Sequence, residues 1–258
     1  MRAPRIHQDI ELRGGARVTL DETASRHLLR VLRLKTGARL TVFDGRGNEY
    51  EAILEAGGAA AAVRLGAVLE RRTESPLRIV LAQGISRGER MDYTLQKAVE
   101  LGVSSLLPLF TRRCQIKLSG TRLARRLEHW RGVIRHACEQ CGRNVLPELH
   151  PPRPLTDAPW DLSGDLSGDL SGQLAGRQDD VLKLLLDAGG DTGPGSLPRP
   201  AGPVVLVAGP EGGLDPQERR LLQDRGFRPL RLGPRILRTE TAAVAALAVL
   251  QARWGDLG

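Results

Sequence analysis

Lysine is nearly missing from this 258-residue chain: Lys35, Lys97, Lys117 and Lys183 stand against 34 arginines. Cysteine is scarce too, three residues in all, too few for a disulfide framework and in keeping with a reducing compartment. No run approaches the roughly 20 uncharged apolar residues that a membrane span needs. The opening stretch MRAPRIHQDIEL carries no hydrophobic signal segment. A soluble cytoplasmic protein with no membrane partner is therefore expected. No G-x-G-x-x-G follows a strand pattern and no Gly-rich turn ends in Lys-Ser or Lys-Thr, which argues against dinucleotides and nucleoside triphosphates as ligands.

What is present is enough apolar material, 41%, to build one large or two ordinary cores, and a strong positive balance of +8 with a pI near 10.2. Arginine forks match phosphate oxygens, so a nucleic acid is the first partner to consider, although a codon bias toward arginine gives the same excess. The charge gathers in residues 1–72 (+4) and 73–160 (+6), while 161–201 is acidic (−4). Cys138 and Cys141 form a C-x-x-C that can be drawn with His136 and Cys114 as a zinc site. There is no second such pair and both cysteines close a helical pattern, so buried or interfacial thiols are the preferred reading and no metal is expected.

Residues 1–72 read as short strands at 17–20, 38–45, 48–56 and 60–70. The turn Asp44-Gly45-Arg46-Gly47 is a hairpin signal. One amphipathic helix interrupts them from Thr23 to Arg33, expected to turn Leu28, Leu29 and Leu32 inward and Arg26, Arg30 and Arg33 outward. The pattern suits a small β-barrel-like domain. From residue 73 the rhythm changes to alternating strands and helices, the mark of an α/β domain with a mostly parallel sheet. RIVLAQG (78–84) has the continuous apolar character of a strand buried on both faces. Ser86-Arg87-Gly88-Glu89 has the form of a capping box opening a helix to Gly102. VSSLLPLF (103–110) then reads as a strand and 121–141 as a helix. Residues 156–180, with the tandem DLSGDLSGDLSG, suit a flexible insertion without assigned function. Strands follow at 181–187, 203–209 and 227–232. Asp215-Pro216-Gln217-Glu218 caps one helix, and a long Ala/Val/Leu helix ends the chain.

Polar chemistry concentrates in two loops after strands, GPEGGL (209–214) and LGPRILRTET (232–241). In open α/β sheets ligands bind beyond the carboxyl ends of the strands, so both loops should face one pocket. Gly209, Gly212 and Gly213 let backbone groups approach a ligand, while Pro210 restricts the loop. A ligand held by backbone groups, with a planar base and no dense negative charge, suits such a site. Together with SRGERMDYTLQKAVELGV, ACEQCGRN and HLLRVLRLKTGARLTVFDGRGNEY, these loops resemble the RsmE family of 16S ribosomal RNA uracil-N3 methyltransferases, over nearly the whole chain.

The resemblance implies a SPOUT-type C-terminal domain (73–258) containing a deep trefoil knot, and a PUA-like RNA-binding barrel (1–72). It implies S-adenosyl-L-methionine as methyl donor, a homodimer, and 16S rRNA of the small ribosomal subunit as substrate, with uridine 1498 as the expected target. Cofactor contacts are then expected from Leu186, Gly209, Pro210, Glu211, Gly212, Gly213, Leu232, Gly233, Ile236, Leu237, Thr239 and Thr241. Thr239 as an N-cap with Glu240 in the first turn is also ordinary helix chemistry.

Methylating N3 requires loss of the imide proton while donor and base are held close to in line. Arg238 and Glu240 are the favoured reactive pair. Glu211 and Asp187 are further proton acceptors, and Arg235 can stabilise carbonyl charge or orient a phosphate. His27, His129 and His136 fall on helices and read as structural or surface residues. Backbone contacts to RNA are expected from Arg26, Arg30, Arg33, Arg87, Arg112, Arg113, Arg143 and Arg235, each with a solvated surface charge as its alternative. A non-catalytic RNA-binding or ribosome-assembly protein is the competing reading, one with no physical need for two intact glycine loops.

Overall fold

The computed structural model describes residues 3–55, 60–158, 160 and 181–258. These form two compact units, Met1–Glu74 with Arg135–Leu146, and Ser75–Ile134 with Pro147–Gly258. The DLSG repeat lies outside the described residues.

The first unit is a five-stranded sheet of β1 (Arg5–His7), β2 (Arg17–Thr19), β3 (Arg39–Phe43), β4 (Glu49–Glu55) and β5 (Ala62–Val68) in the order β1-β3-β4-β5-β2, antiparallel except for β1 with β3. The hairpin between β3 and β4 forms at Asp44–Gly47. There Asp44 Oδ1 accepts from the N–H groups of Arg46 and Asn48, at 2.8 and 3.1 Å, and Gly45 and Gly47 take φ of +75° and +109°. Ile6, Val18, Leu40, Val42, Leu54, Val63 and Leu65 fill its core.

The helix expected from Thr23 to Arg33 is shorter and wound differently. α1 (Glu22–Arg26) is capped by Asp21 and runs into a π turn at His27–Val31, in which the Leu32 N–H reaches back to His27 O. The wider turn rotates the apolar stripe, so Leu28 is fully buried but Leu29 and Leu32 are each 39% exposed, contrary to the inward placement expected of all three. Arg26, Arg30 and Arg33 are exposed as expected.

The second unit carries a wholly parallel sheet. β6 (Ile79–Gly84), β7 (Ser105–Phe110), β8 (Glu148–Leu149), β9 (Arg153–Pro154), β10 (Leu182–Leu186), β11 (Val204–Ala208) and β12 (Arg228–Leu230) run in the order β12-β10-β11-β6-β7-β8, with β9 also on β7. Every residue of β6 and β11 is buried, as continuous apolar runs require when both faces are covered. α2 (Glu89–Glu100) and α5 (Thr239–Trp254) pack against each other, and α4 (Pro216–Asp224) contributes Leu222 to a core shared with Val205, Val207 and Phe227.

Asp215 and Glu218 close the capping box expected at α4. The box expected at Ser86 does not form. α2 starts at Glu89, too close to Ser86 for Glu89 to be the third helical residue. The Ser86 hydroxyl turns to Gly84 O at 3.4 Å, and Gly88 with φ +55° is the N-cap, without a side-chain bond. The described residues at the start of the insertion expected over 156–180 are packed. Leu155, Ala158 and Trp160 are buried, and the Trp160 indole donates to Leu155 O at 3.0 Å and meets Phe227 edge-on. α3 (Gly120–Cys141) ends with Cys138 fully buried and its thiol pushed up to about 12, chiefly by burial.

Candidate functional site

β6, β10 and β11 end side by side, and the chain leaving β11 folds into the GPEGGL turn. Gly213, with φ +67°, donates to Pro210 O at 2.8 Å. The turn is pressed against β6: a Cβ on Gly84 would lie 2.6 Å from both the nitrogen and Cδ of Pro210. It is also pressed against the segment after β7, where Arg113 Nη1 donates to Gly212 O at 3.0 Å and a Cβ on Gly212 would lie 3.1 Å from Arg113 Cβ. The second loop turns at Gly233, with φ +85°, and enters α5 through Arg238 as N-cap.

Thr239 ties the two loops together rather than capping α5. Its hydroxyl donates to Gly209 O at 2.5 Å and accepts from Gln83 Nε2 at 3.2 Å, which takes it away from the helix N–H groups. Gln83, buried at the end of β6, also donates to Gly209 O at 3.2 Å and Gly84 O at 2.9 Å. Nothing in its local pattern distinguishes it from the other residues of a buried strand, because its partners lie 126 and 156 residues away.

Between the loops lies a cavity of about 490 Å³. Leu186, Gly209, Pro210, Glu211, Gly212, Gly213, Leu232, Gly233, Ile236, Leu237 and Thr239 all line it, as do Arg238, Glu240, Asp187 and Arg235. Thr241 does not; it is exposed on α5, turned roughly 100° from Glu240 by the helical advance. Ile236 sits at the lip with 89% of its surface exposed. The residues not anticipated are Arg90, Ala188, Ala208, Leu214, Leu230 and Ala242.

The three carboxylates of the cavity differ. Glu211 Oε1 accepts from the Arg87 N–H at 2.8 Å and Arg90 Nη1 at 3.1 Å. Burial works against its charge, but these bonds and the Arg90 charge prevail and hold its carboxyl below the usual range, making it a weak base. Asp187 is engaged by Arg219 Nη1 at 3.2 Å and the Gly189 N–H at 2.9 Å. Glu240 alone keeps a buried oxygen, Oε2, without a hydrogen-bond partner, while its Oε1 lies 4.0 Å from Arg90 Nε. None of His27, His129 and His136 lines the cavity; His129 is exposed and lies 2.7 Å from Asp92.

Of the arginines expected on RNA, Arg87, Arg112, Arg113 and Arg235 are exposed. Arg143 is 4% exposed and forks onto Glu74, with Nε 3.0 Å from Oε1 and Nη2 on Oε2, so its charge is spent inside the first unit and is not offered to a phosphate. Among the described residues no three His, Cys, Asp or Glu side chains gather as a metal site would require.

Comparison with known proteins bears on this geometry. A family model described as an RNA methyltransferase domain matches residues 73–251, and one described as an RNA methyltransferase PUA domain matches residues 20–62. The ribosomal RNA small subunit methyltransferase E of Buchnera aphidicola subsp. Schizaphis graminum is 32% identical over 99% of this chain and 98% of its own length. Among solved structures, a ribosomal RNA small subunit methyltransferase E from Neisseria gonorrhoeae bound to S-adenosyl methionine is 36% identical over 100% of both chains, with a TM-score of 0.88. A Legionella pneumophila protein described as a methyltransferase, solved with bound SAM, is 42% identical over 100% of both chains, with a TM-score of 0.87.

Proposed function

The chain belongs to the ribosomal RNA small subunit methyltransferase E family, and on that premise we propose that it transfers a methyl group from S-adenosyl-L-methionine to N3 of one uridine of 16S rRNA, uridine 1498 being the expected position. The observation that carries this reading is the cavity enclosed by two glycine turns, with one carboxylate oxygen buried and unbonded at its wall.

The residues present fit the cofactor. A space of about 490 Å³ is within the roughly 300–1,000 Å³ usual for small-ligand sites. Its walls combine backbone groups at Gly209, Gly213 and Gly233 with apolar Leu186, Leu232 and Leu237, which suits adenine and a sulfonium better than phosphate. When bound, the cofactor supplies an electrophilic methyl carbon. Everything else falls to the protein. N3 lies on the Watson–Crick edge, so the uridine must be unpaired or turned out. Glu240, whose side chain lines the cavity, accepts the N3 proton. Arg238 and Arg235 line the same cavity and balance charge developing on the uracil carbonyl oxygens. Arg87, Arg112 and Arg113, with Arg26, Arg30 and Arg33 of the first unit, are the exposed cations available to the RNA backbone. The exposed Ile236 and the apolar α5 support a homodimer.

Calorimetric titration of the purified protein with S-adenosylmethionine tests the reading against that of a non-catalytic RNA-binding protein. Saturation at one cofactor per chain is expected. RNA affinity without any cofactor binding would favour the alternative.

A further inference from the structure

Arg90 occupies the first turn of α2, where the helix dipole disfavours a cation. Its guanidinium spans two acidic residues that meet only in the folded chain: Nη1 is 3.1 Å from Glu211 Oε1 and Nε is 4.0 Å from Glu240 Oε1. Glu211 has a second anchor in the Arg87 N–H at 2.8 Å, so it does not depend on Arg90 alone. Glu240 has no such second anchor. Arg235 and Arg238 line the same cavity, yet among the described residues only Arg90 forms an ion pair with Glu240.

We propose that Arg90 is a positioning residue for methyl transfer: paired with Glu240 at Oε1, it holds that carboxylate in the cavity wall, where it takes the imide proton. The proposal rests on Glu240 being the proton acceptor. In the step it serves, a carboxylate oxygen of Glu240 forms a bond to the N3 proton as the N3–H bond breaks. The N3 electron pair forms the bond to the methyl carbon, and the carbon–sulfur bond breaks with its pair remaining on sulfur. The protonated Glu240 then returns its proton to water. The charged groups facing Glu240 across the cavity are Arg90 from α2, Glu211 from the first loop, Asp187 after β10, and Arg235 and Arg238 from the second loop. Removing Arg90 leaves two carboxylates near Glu240 and takes away its paired cation.

The test is single-turnover methyl transfer to small ribosomal subunits lacking the modification, measured for the wild type, Arg90→Met, Arg90→Lys and Glu240→Gln, with cofactor affinity measured separately by calorimetry. For Arg90→Met the rate constant should fall by at least about tenfold near neutral pH. Cofactor affinity should stay within about threefold of wild type. Arg90→Lys should recover most of the rate. Full activity in Arg90→Met, a loss that Arg90→Lys does not recover, or a loss explained by cofactor affinity alone would each overturn the proposal. Arg90→Gln provides the same readouts should the Met variant not fold. A Glu240→Gln protein with the wild-type rate would instead refute the underlying assignment of the base, whatever the Arg90 variants do.

Discussion

Gly84→Ala tests whether the cofactor pocket is held by the fit of the first loop against β6. A methyl group there would lie 2.6 Å from Pro210 N and Cδ and 3.0 Å from the Gly209 carbonyl carbon. Ordinary contact begins at 3.4 Å, so the loop must retreat by about 0.8 Å. None of the three atoms ends a flexible side chain. Overpacking of this kind costs about 1–3 kcal/mol. Gly209 O is also bonded to Thr239 and Gln83, so the loop cannot shift without disturbing both. If about 1–2 kcal/mol reaches the pocket, the dissociation constant for S-adenosylmethionine rises between about fivefold and thirtyfold. Calorimetry of the variant beside thermal unfolding measures both parts. Gly132→Ala in α3, where nothing lies within 4 Å of the new methyl, is the control; it should leave affinity unchanged and stabilise by up to about 1 kcal/mol. Wild-type affinity and melting temperature in Gly84→Ala would refute the reasoning.

Other outcomes follow from the same geometry. Glu240→Gln should lower kcat by about 100-fold or more while cofactor affinity persists, since only the proton acceptor is lost; kinetics beside calorimetry separate the two. Gly233→Val places a β-branched residue at φ +85° and should weaken cofactor binding by about tenfold or more, measured by calorimetry. Burial, helped by Arg153, lowers His150 from 6.5 to about 4, outweighing the Glu148 carboxylate 3.2 Å from its Nδ1. The fold thus favours neutral His150. Its contribution, at most about 3 kcal/mol, is complete above pH 6.5 and lost as pH falls toward 4. Urea unfolding near those two values should show a pH dependence that His150→Gln flattens, and an equal dependence in both proteins would rule it out. If about five phosphates are neutralised, log affinity for RNA should fall against log salt with a slope near about −3.5; a flat response removes the electrostatic part of RNA binding.

Local pattern made the parallel sheet readable, because β6 and β11 are continuous apolar runs of the length a strand buried on both faces requires. The two glycine loops were readable for a similar reason, since positive φ at Gly213 and Gly233 leaves a mark in the residue type itself. Arg90 and Gln83 leave no such mark: Arg90 meets Glu211 across 121 positions and Gln83 meets Thr239 across 156. Thr239 carried capping chemistry that a tertiary contact overrode, its hydroxyl turning to Gly209 O, whereas Ser86 lies too close to the start of α2 and its hydroxyl turns to the local carbonyl of Gly84. Leu29 and Leu32 were misplaced because a single π turn shifts the phase of a 3.6-residue pattern. Arg143 looked like surface charge until Glu74, 69 positions away, paired with it in the interior.

The most direct measurement is to incubate the protein with small ribosomal subunits lacking the modification and with methyl-labelled S-adenosylmethionine, then locate the label in the RNA. One methyl group per subunit, on N3 of a single uridine, is the predicted result. Label on a ribose, on another base, or on no RNA at all despite saturated cofactor binding would contradict it.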